Sequence, residues 1–470
     1  MTRHRRGPVP REQVPAARLA DPPRRTFDAV VLLTIWAGAL LLVPANLVVK
    51  PLGAAGSPAQ LLGLLAGAWW LGAQLDRSRA TLTPAQPVRR AALVFVGAVL
   101  VSYVVATRRP IEAIELSSAD RGLLIIVSWF GITLLSGDGI PSRERLDALL
   151  RRLVVMAGAV AVLGCVQFFS GMSFVDRLVI PGLSANNEVA SIYARNGFAR
   201  VAGTSTHPIE FGVMLTMVLP IALHYAFGDL HRTRLRRWWP VAAIAVAVPV
   251  TMSRSAVIGV VVVLAVLMPT WATAVRRRAY AAILGLLLVV YLAVPGLLGT
   301  MIRLFTGISG DDSAQSRTDS YAFAWQFIER APVFGRGFST FLPMYRILDN
   351  QYLGLLIETG VVGLVAFLVL IVTGIRVANR LRRASEDPAL RSLLRSLVAC
   401  IGSAACAVAT FDAFGFAQVA GLLFLALGCV SALRRLERHR VVALEAASPG
   451  TSRTDAPADV TGATGRPPHA

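Results

Sequence analysis

Apolar runs of about 18 to 25 residues recur along the chain, and each is long enough to cross a bilayer as one helix. A water-soluble helical protein shows polar stripes at 3.6-residue spacing instead. The runs Val241–Val250, Val257–Met268 and Ala282–Val294 carry almost no polar residue. The expected fold class is an all-α polytopic membrane protein with about twelve transmembrane helices. These cover Asp28–Val49, Pro58–Leu75, Val88–Thr107, Gly122–Ser136, Leu149–Phe169, Pro208–Gly228, Trp239–Met252, Ser255–Ala272, Ala279–Leu298, Gln351–Ala378, Ala389–Thr410 and Gly415–Leu433. Gly122–Ser136 and Trp239–Met252 are short for a span.

Composition narrows the partners. Only 16% of the 470 residues are charged, against about a quarter in a soluble domain. The net charge of +20 would point to nucleic acid in a soluble protein. Here the arginines sit in short segments between apolar runs, as in cytoplasmic loops of membrane proteins. Membrane lipid headgroups are the expected partner, and nucleic acid is not. Cys165, Cys400, Cys406 and Cys429 all fall inside apolar runs and read as small buried residues. Histidine is scarce, and neither a metal nor a cofactor is expected.

The basic segments set an expected orientation. Arg77, Arg79, Arg89 and Arg90 open a series that continues through Arg143 to Arg152, Arg232 to Arg237, Arg276 to Arg278, Arg376 to Arg395 and Arg434 to Arg438. They alternate with segments poorer in net positive charge, which places both termini in the cytoplasm and the protein in the plasma (inner) membrane. The Arg108–Arg121 loop lies on the other side, its charge balanced by Glu112, Glu115 and Asp120. Residues 1–26 form a basic, Arg- and Pro-rich tail expected to be disordered, and no cleaved leader is expected ahead of the first run. Residues 27–434 form the transmembrane domain, and 435–470 a second cytoplasmic disordered tail.

Two long segments, 171–206 and 300–350, face outward in this topology, and long loops are usually functional or disordered. The second carries a helix signal: Ser316 or Thr318 as a cap, then Tyr321, Ala324, Phe327 and Ile328 on one face, with Pro332 as the end. It reads equally as a lid or as a helix on the membrane surface.

Polar islands at the outer ends of the runs carry the candidate chemistry. Arg254, in a tight hairpin between two apolar runs, stands outside against the positive-inside trend. A guanidinium there forks onto phosphate or carboxylate oxygens, or meets lipid headgroups. Arg200 precedes Gly203-Thr204-Ser205-Thr206-His207-Pro208, where Thr206 can cap a helix and His207 reads as a structural or capping side chain. A helix N-terminus beside an arginine favours an anion. Asp349 and Asn350 lie at the mouth of the run that carries Tyr352 and Glu358. Asp349 has two readings, a helix cap or a proton acceptor for a sugar hydroxyl. Glu358 inside an apolar run needs a partner or a cavity. Arg317 and Asp319 read as a solvated pair and Arg317 as a weaker binding candidate.

These islands, in this order, resemble the O-antigen ligase and polysaccharide polymerase superfamily of bacterial membrane glycan transferases. The matching pieces are Arg200-Val201-Ala202-Gly203-Thr204 with His207-Pro208, Ser253-Arg254-Ser255-Ala256, Ala331-Pro332-Val333-Phe334-Gly335-Arg336-Gly337-Phe338, Asn350-Gln351-Tyr352-Leu353 and Glu358-Thr359-Gly360-Val361-Val362-Gly363-Leu364. They cover roughly 149–378. The resemblance implies about a dozen helices with a large outer loop bearing short helices. It implies metal-free, inverting transfer of a glycan from a polyprenyl diphosphate carrier to an acceptor hydroxyl. Arg200 and Arg254 would hold the diphosphate, Asp349 would act as base, and Asn350, Tyr352, Arg317 and Glu358 would contact substrate. Glycan-assembly proteins are further partners on this reading. Many members have His-Asn where this chain has Asp349-Asn350. The motifs serve polymerases and ligases alike. The competing class is a twelve-helix transporter of a glycolipid or other anionic substrate, which would favour internal repeats and broken helices.

Overall fold

Short polar side chains and prolines start most of the helices. Asp28 accepts from the Val31 amide at 3.0 Å and opens α1 (Ala29–Leu41). Proline occupies the first turn of α2 (Pro58–Leu75) and α3 (Pro87–Thr107), where its missing N–H costs nothing. After α4 (Ala113–Gly139), Ser142 caps α5 (Arg143–Ser170). Then come α6 (Pro208–Gly228), α7 (Arg234–Val250), α8 (Arg254–Leu267) and α9 (Thr273–Ala293). The chain continues through α10 (Leu297–Thr306), α11 (Asp312–Arg330), α12 (Gln351–Ala384), α13 (Pro388–Val408) and α14 (Ala417–Ala447). The computed structural model describes residues 28–76, 86–186, 192–195, 198–306 and 312–447, so both expected tails lie largely outside the described residues.

Among the described residues, seven helices are long and apolar enough to cross a membrane: α3, α4, α5, α6, α12, α13 and α14. The chain is a mostly helical membrane protein. The other expected runs are helical too, but shorter or less apolar, so the count of about twelve spans is not reached by these criteria. α1 ends at Leu41, well short of Val49, because Pro44 disfavours helix in the residue before it. α4 begins at Ala113, nine residues before the expected start, so most of the expected Arg108–Arg121 loop is helix. Its first turns are polar, which hides them from an apolar count. α14 runs on to Ala447, so the first residues of the expected tail are helical.

The all-α expectation misses four short strands. β1 (Leu47–Val49) pairs antiparallel with β2 (Leu183–Ala185), and β3 (Ile192–Arg195) with β4 (Phe198–Val201). They give the segment between α5 and α6 partners for backbone groups that no helix supplies.

Helices pack through one continuous apolar core. α2 and α14 lie against α4, α3 against α12, α6 and α8 against α13, and α5 against α7. Phe95, Phe211, Phe367 and Phe424 are fully buried in it. At one end of the bundle arginines meet carboxylates. Arg145 grips Asp28 with two bonds of 2.9 and 2.6 Å, and Arg151 grips Asp229 at 2.7 and 2.8 Å. The opposite end carries the candidate site.

In the segment 300–350, α11 packs on the first half of α12. Ala324 and Ile328 are buried there with Leu348 and Ile357, while Tyr321 is exposed. The helix starts at Asp312, so Ser316 and Thr318 fall inside it and do not cap it. A clasp fixes the following loop: Glu115 of α4 accepts from Arg109 at 2.7 Å, from Tyr345 at 2.7 Å and from Arg336.

Candidate active site

Arg200 reaches its place through a heavily bonded segment. It lies in β4, opposite Tyr193 and one residue before the strand's end, and is 8% exposed. Gly203, at φ 61, follows in a turn that Gln167 of α5 holds from both sides. Gln167 accepts from the Gly203 amide at 2.9 Å and donates to its carbonyl at 3.2 Å. Thr204 donates to the Leu41 carbonyl at 2.5 Å. His207, not Thr206, caps α6, with Nδ1 accepting from the Ile209 amide at 3.1 Å. Glu210, fully buried, accepts from the amide and hydroxyl of Thr206 and from the Gln418 amide, each at 2.9 Å. One carboxylate thus ties the start of α6 to the start of α14. Burial, and then the charge of Arg200, push the His207 imidazole down to about 4, so it is neutral near pH 7. Its remaining nitrogen, Nε2, carries the proton and can only donate.

The second arginine is placed by a tight turn. α7 ends at Val250, Met252 takes a left-handed φ of 48, and Ser253 caps α8 by accepting from Ala256 at 3.3 Å. Arg254 is therefore the first residue of α8, directly after the tight turn that joins the two apolar runs. Within this turn the Thr251 carbonyl accepts from Arg200 Nε at 3.1 Å. A cation at a helix N-terminus opposes the helix dipole, and an anion bound there relieves both.

The loop after α11 threads through a break in α12. Gly360 has φ 64 and interrupts the helix. The carbonyls of Ile357 and Glu358 accept instead from the amides of Arg336 and Gly337 at 3.0 and 2.9 Å. On the far side, the amides of Val361 and Val362 donate to Pro332 and Val333 at 2.9 and 3.2 Å. The Glu358 carbonyl also accepts from Ser102 at 2.6 Å. A Cβ at Gly335 would overlap the Glu358 carbonyl, and one at Gly360 would overlap the Val333 carbonyl. Both glycine motifs therefore serve one docking.

At the mouth of α12, Asn350 is the cap. Its Oδ1 accepts from Tyr352 and Leu353 at 3.1 and 3.3 Å. That leaves Asp349 just outside the helix, at φ 51, a conformation in which Asp, Asn and His are enriched. The loop is fixed from behind by Asp412, which accepts from the Asn350 amide at 3.2 Å. Burial and the nearby Asp349 carboxylate raise the pKa of Asp412, and the backbone amides of residues 348–350 oppose this.

These pieces line one cavity of about 910 Å³. Arg200, His207, Arg254, Asp349, Glu358 and Asp412 all face it. Its apolar wall includes Trp129, Phe338 and Phe414, which belong to one aromatic cluster with Phe367. Residues 239–368 match the O-antigen ligase family model. The match covers Arg254, Asp349, Glu358 and the break at Gly360, and supports an O-antigen ligase- or polymerase-like family. It points to a membrane enzyme of glycosyl transfer in polysaccharide biosynthesis. No curated protein matches the chain. Arg200 and Asp412 lie outside the O-antigen ligase match, yet the fold brings them to the same cavity as the residues within it.

Four expected site residues converge: Arg200, Arg254, Asp349 and Glu358. Glu358 is half-buried and accepts from the Phe341 amide at 3.3 Å. Tyr352 and Asn350 are not among the cavity-lining residues. The Tyr352 hydroxyl donates to the Ala405 carbonyl at 2.7 Å, and Asn350 is occupied as a cap. Both act as positioning residues here. Arg317 sits on α11, and its side chain lies outside the described residues. The sequence reading missed two residues. Arg346 lines the cavity and donates from Nε to Ser320 at 2.8 Å. Asp412 follows an apolar run, where an acid reads as nothing more than the end of a helix.

Proposed function

We propose that this protein transfers a glycan from a polyprenyl diphosphate carrier to an acceptor hydroxyl on the extracytoplasmic face, with inversion and without a metal. The observation that carries this reading is the meeting of Arg200 and Arg254, from distant parts of the chain, in one cavity with carboxylates. The N-termini of α6 and α8 open toward the same space through Ile209 and Ser253. Guanidinium groups and helix starts together suit a diphosphate.

In the proposed reaction the acceptor oxygen attacks the anomeric carbon. The bond from that carbon to the diphosphate oxygen breaks, and the diphosphate leaves with the electron pair. Arg200 and Arg254 stabilise the charge that develops on it. Asp349 takes the acceptor proton. His207, neutral and donating from Nε2, can hold a phosphate or sugar oxygen but cannot act as base. The orientation follows from the arginine-rich loops at the opposite end of the bundle, which belong in the cytoplasm.

Mass analysis of lipid-linked glycans in a deletion strain tests the reading. Accumulated single repeats identify a polymerase, and accumulated lipid-linked polymer identifies a ligase. An unchanged pool of lipid-linked glycan in the deletion strain contradicts the reading.

A further inference from the structure

A second recess, of about 220 Å³, lies beside the arginine-lined cavity. The two share a wall made by Ile125, Trp129, Phe414 and Gly415. Their chemistry differs sharply. Arginines and carboxylates surround the first. Among the described residues, no charged side chain lines the second. Its amides and hydroxyls come from Asn46, Ser57, Gln60, Ser128, Asn186 and Thr206.

The frame of the recess is fixed. The Asn186 amide donates to the Asn46 carbonyl at 3.0 Å, continuing the β1–β2 ladder. The Ala45 amide donates to the Thr204 carbonyl at 2.9 Å, which joins this rim to the segment that presents Arg200. Gln60, in the first turn of α2, is held by its own carbonyl, which accepts from Ser128 of α4 at 3.0 Å. Its side-chain Nε2 is buried and donates to no protein group among the described residues. A buried donor left unmet is costly, so an acceptor that reached this amide on binding would be favoured.

We propose that the recess is a saccharide subsite that takes one uncharged sugar ring, from either the transferred glycan or its acceptor. The proposal rests on the glycan-transfer reading above. A pyranose ring presents an apolar C–H face and a rim of hydroxyls. Trp129 and Phe414 supply an apolar wall, and the amides of Gln60, Asn46 and Asn186 both donate and accept. At about 30 Å³ of liquid volume per water, the recess holds roughly seven waters, or a single pyranose with its hydroxyls. The shared wall would set that ring next to the diphosphate-binding space, as a substrate joining sugar to diphosphate, or sugar to sugar, requires.

Saturation-transfer NMR on the purified full chain in detergent tests this with methyl glycosides of glucose, galactose, mannose and rhamnose as probes. Inorganic pyrophosphate, read by thermal stabilisation, is the separate probe for the arginine cavity. At least one glycoside should bind saturably. Gln60→Leu, which keeps the bulk but removes the amide, should weaken it about fivefold or more, the weight of one neutral hydrogen bond. Asn46→Ala should weaken it as well, and carries the test if Gln60→Leu fails to fold. Neither should change the pyrophosphate response. In a transfer assay, a raised KM for the donor alone assigns the ring to the transferred glycan, and a raised KM for the acceptor alone assigns it to the acceptor. Glycoside binding through Gln60 without any pyrophosphate response keeps the subsite and overturns the diphosphate reading. No saturable glycoside signal, or a signal indifferent to both substitutions, overturns the subsite.

Discussion

The Asp412 carboxylate accepts the backbone N–H of Asn350 at 3.2 Å, so an acid between α13 and α14 holds the residue that caps α12. Asp349, the residue before it, lines the cavity together with Asp412. Asp412→Asn keeps an acceptor for the amide, whereas Asp412→Ala leaves a partly buried N–H unmet at a cost of about 1–3 kcal/mol. Transfer should fall more than about tenfold in the alanine variant and stay within about tenfold of the parent in the asparagine variant. Initial rates at matched protein level check this. Equal loss in both variants would give the charge itself a chemical role.

Asp349 is the proposed base. Asp349→Asn preserves shape and tolerates the left-handed backbone, but takes no proton near neutral pH. Its rate should drop about a hundred- to ten-thousandfold. Asp349→His also suits that backbone and should retain transfer with a shifted pH optimum. A parental rate from Asp349→Asn would move the base elsewhere, with Glu358 next to examine.

His207 makes a pH prediction. Its imidazole titrates near 6.5 when unfolded and near 4 in place. A depressed folded value means that its contribution to stability is complete above about pH 6.5 and is lost as pH falls through 4. His207→Asn keeps a capping oxygen and cannot be protonated in that range. Thermal midpoints measured from pH 7 to pH 4 should therefore fall more steeply in the parent than in the variant. Parallel curves would contradict a buried neutral imidazole.

The glycine docking is tested by stability. Gly360→Ala forces a Cβ onto a backbone of φ 64 and ψ −169, a region essentially reserved for glycine, at about 1–3 kcal/mol, and meets the Val333 backbone as well. Gly171→Ala falls in the milder left-handed helical region, φ 66 and ψ 8, and has open space around it. Thermal inactivation should therefore be clearly faster for Gly360→Ala than for Gly171→Ala. Equal effects would mean that the loop does not dock through the break.

Much of the bundle was legible because hydropathy reports burial in lipid. α2 and α6 begin and end where the apolar runs do. α4 was cut short because Glu115, Asp120 and Arg121 belong to its first turns, at the end of the bundle. The strands of three or four residues carry too little alternation to read. Arg200, Arg254, Asp349 and Glu358 were visible as polar residues where apolar ones were expected. Asp412 was not, because its role depends on amides more than sixty residues away in sequence. The docking of Gly335 on the break at Gly360 was hidden for the same reason. Each glycine alone signals only a turn.

The rate of glycan transfer from a polyprenyl diphosphate donor by Arg200→Ala and Arg254→Ala, at matched folded protein, tests the central claim most directly. Each lost charge-assisted contact should cost about 1.5 to 3 kcal/mol, or roughly ten- to more than a hundredfold in rate. Lysine at either position should rescue poorly, because it keeps the charge but loses the two-pronged geometry. Near-parental transfer by both alanine variants would contradict a diphosphate clamp at Arg200 and Arg254.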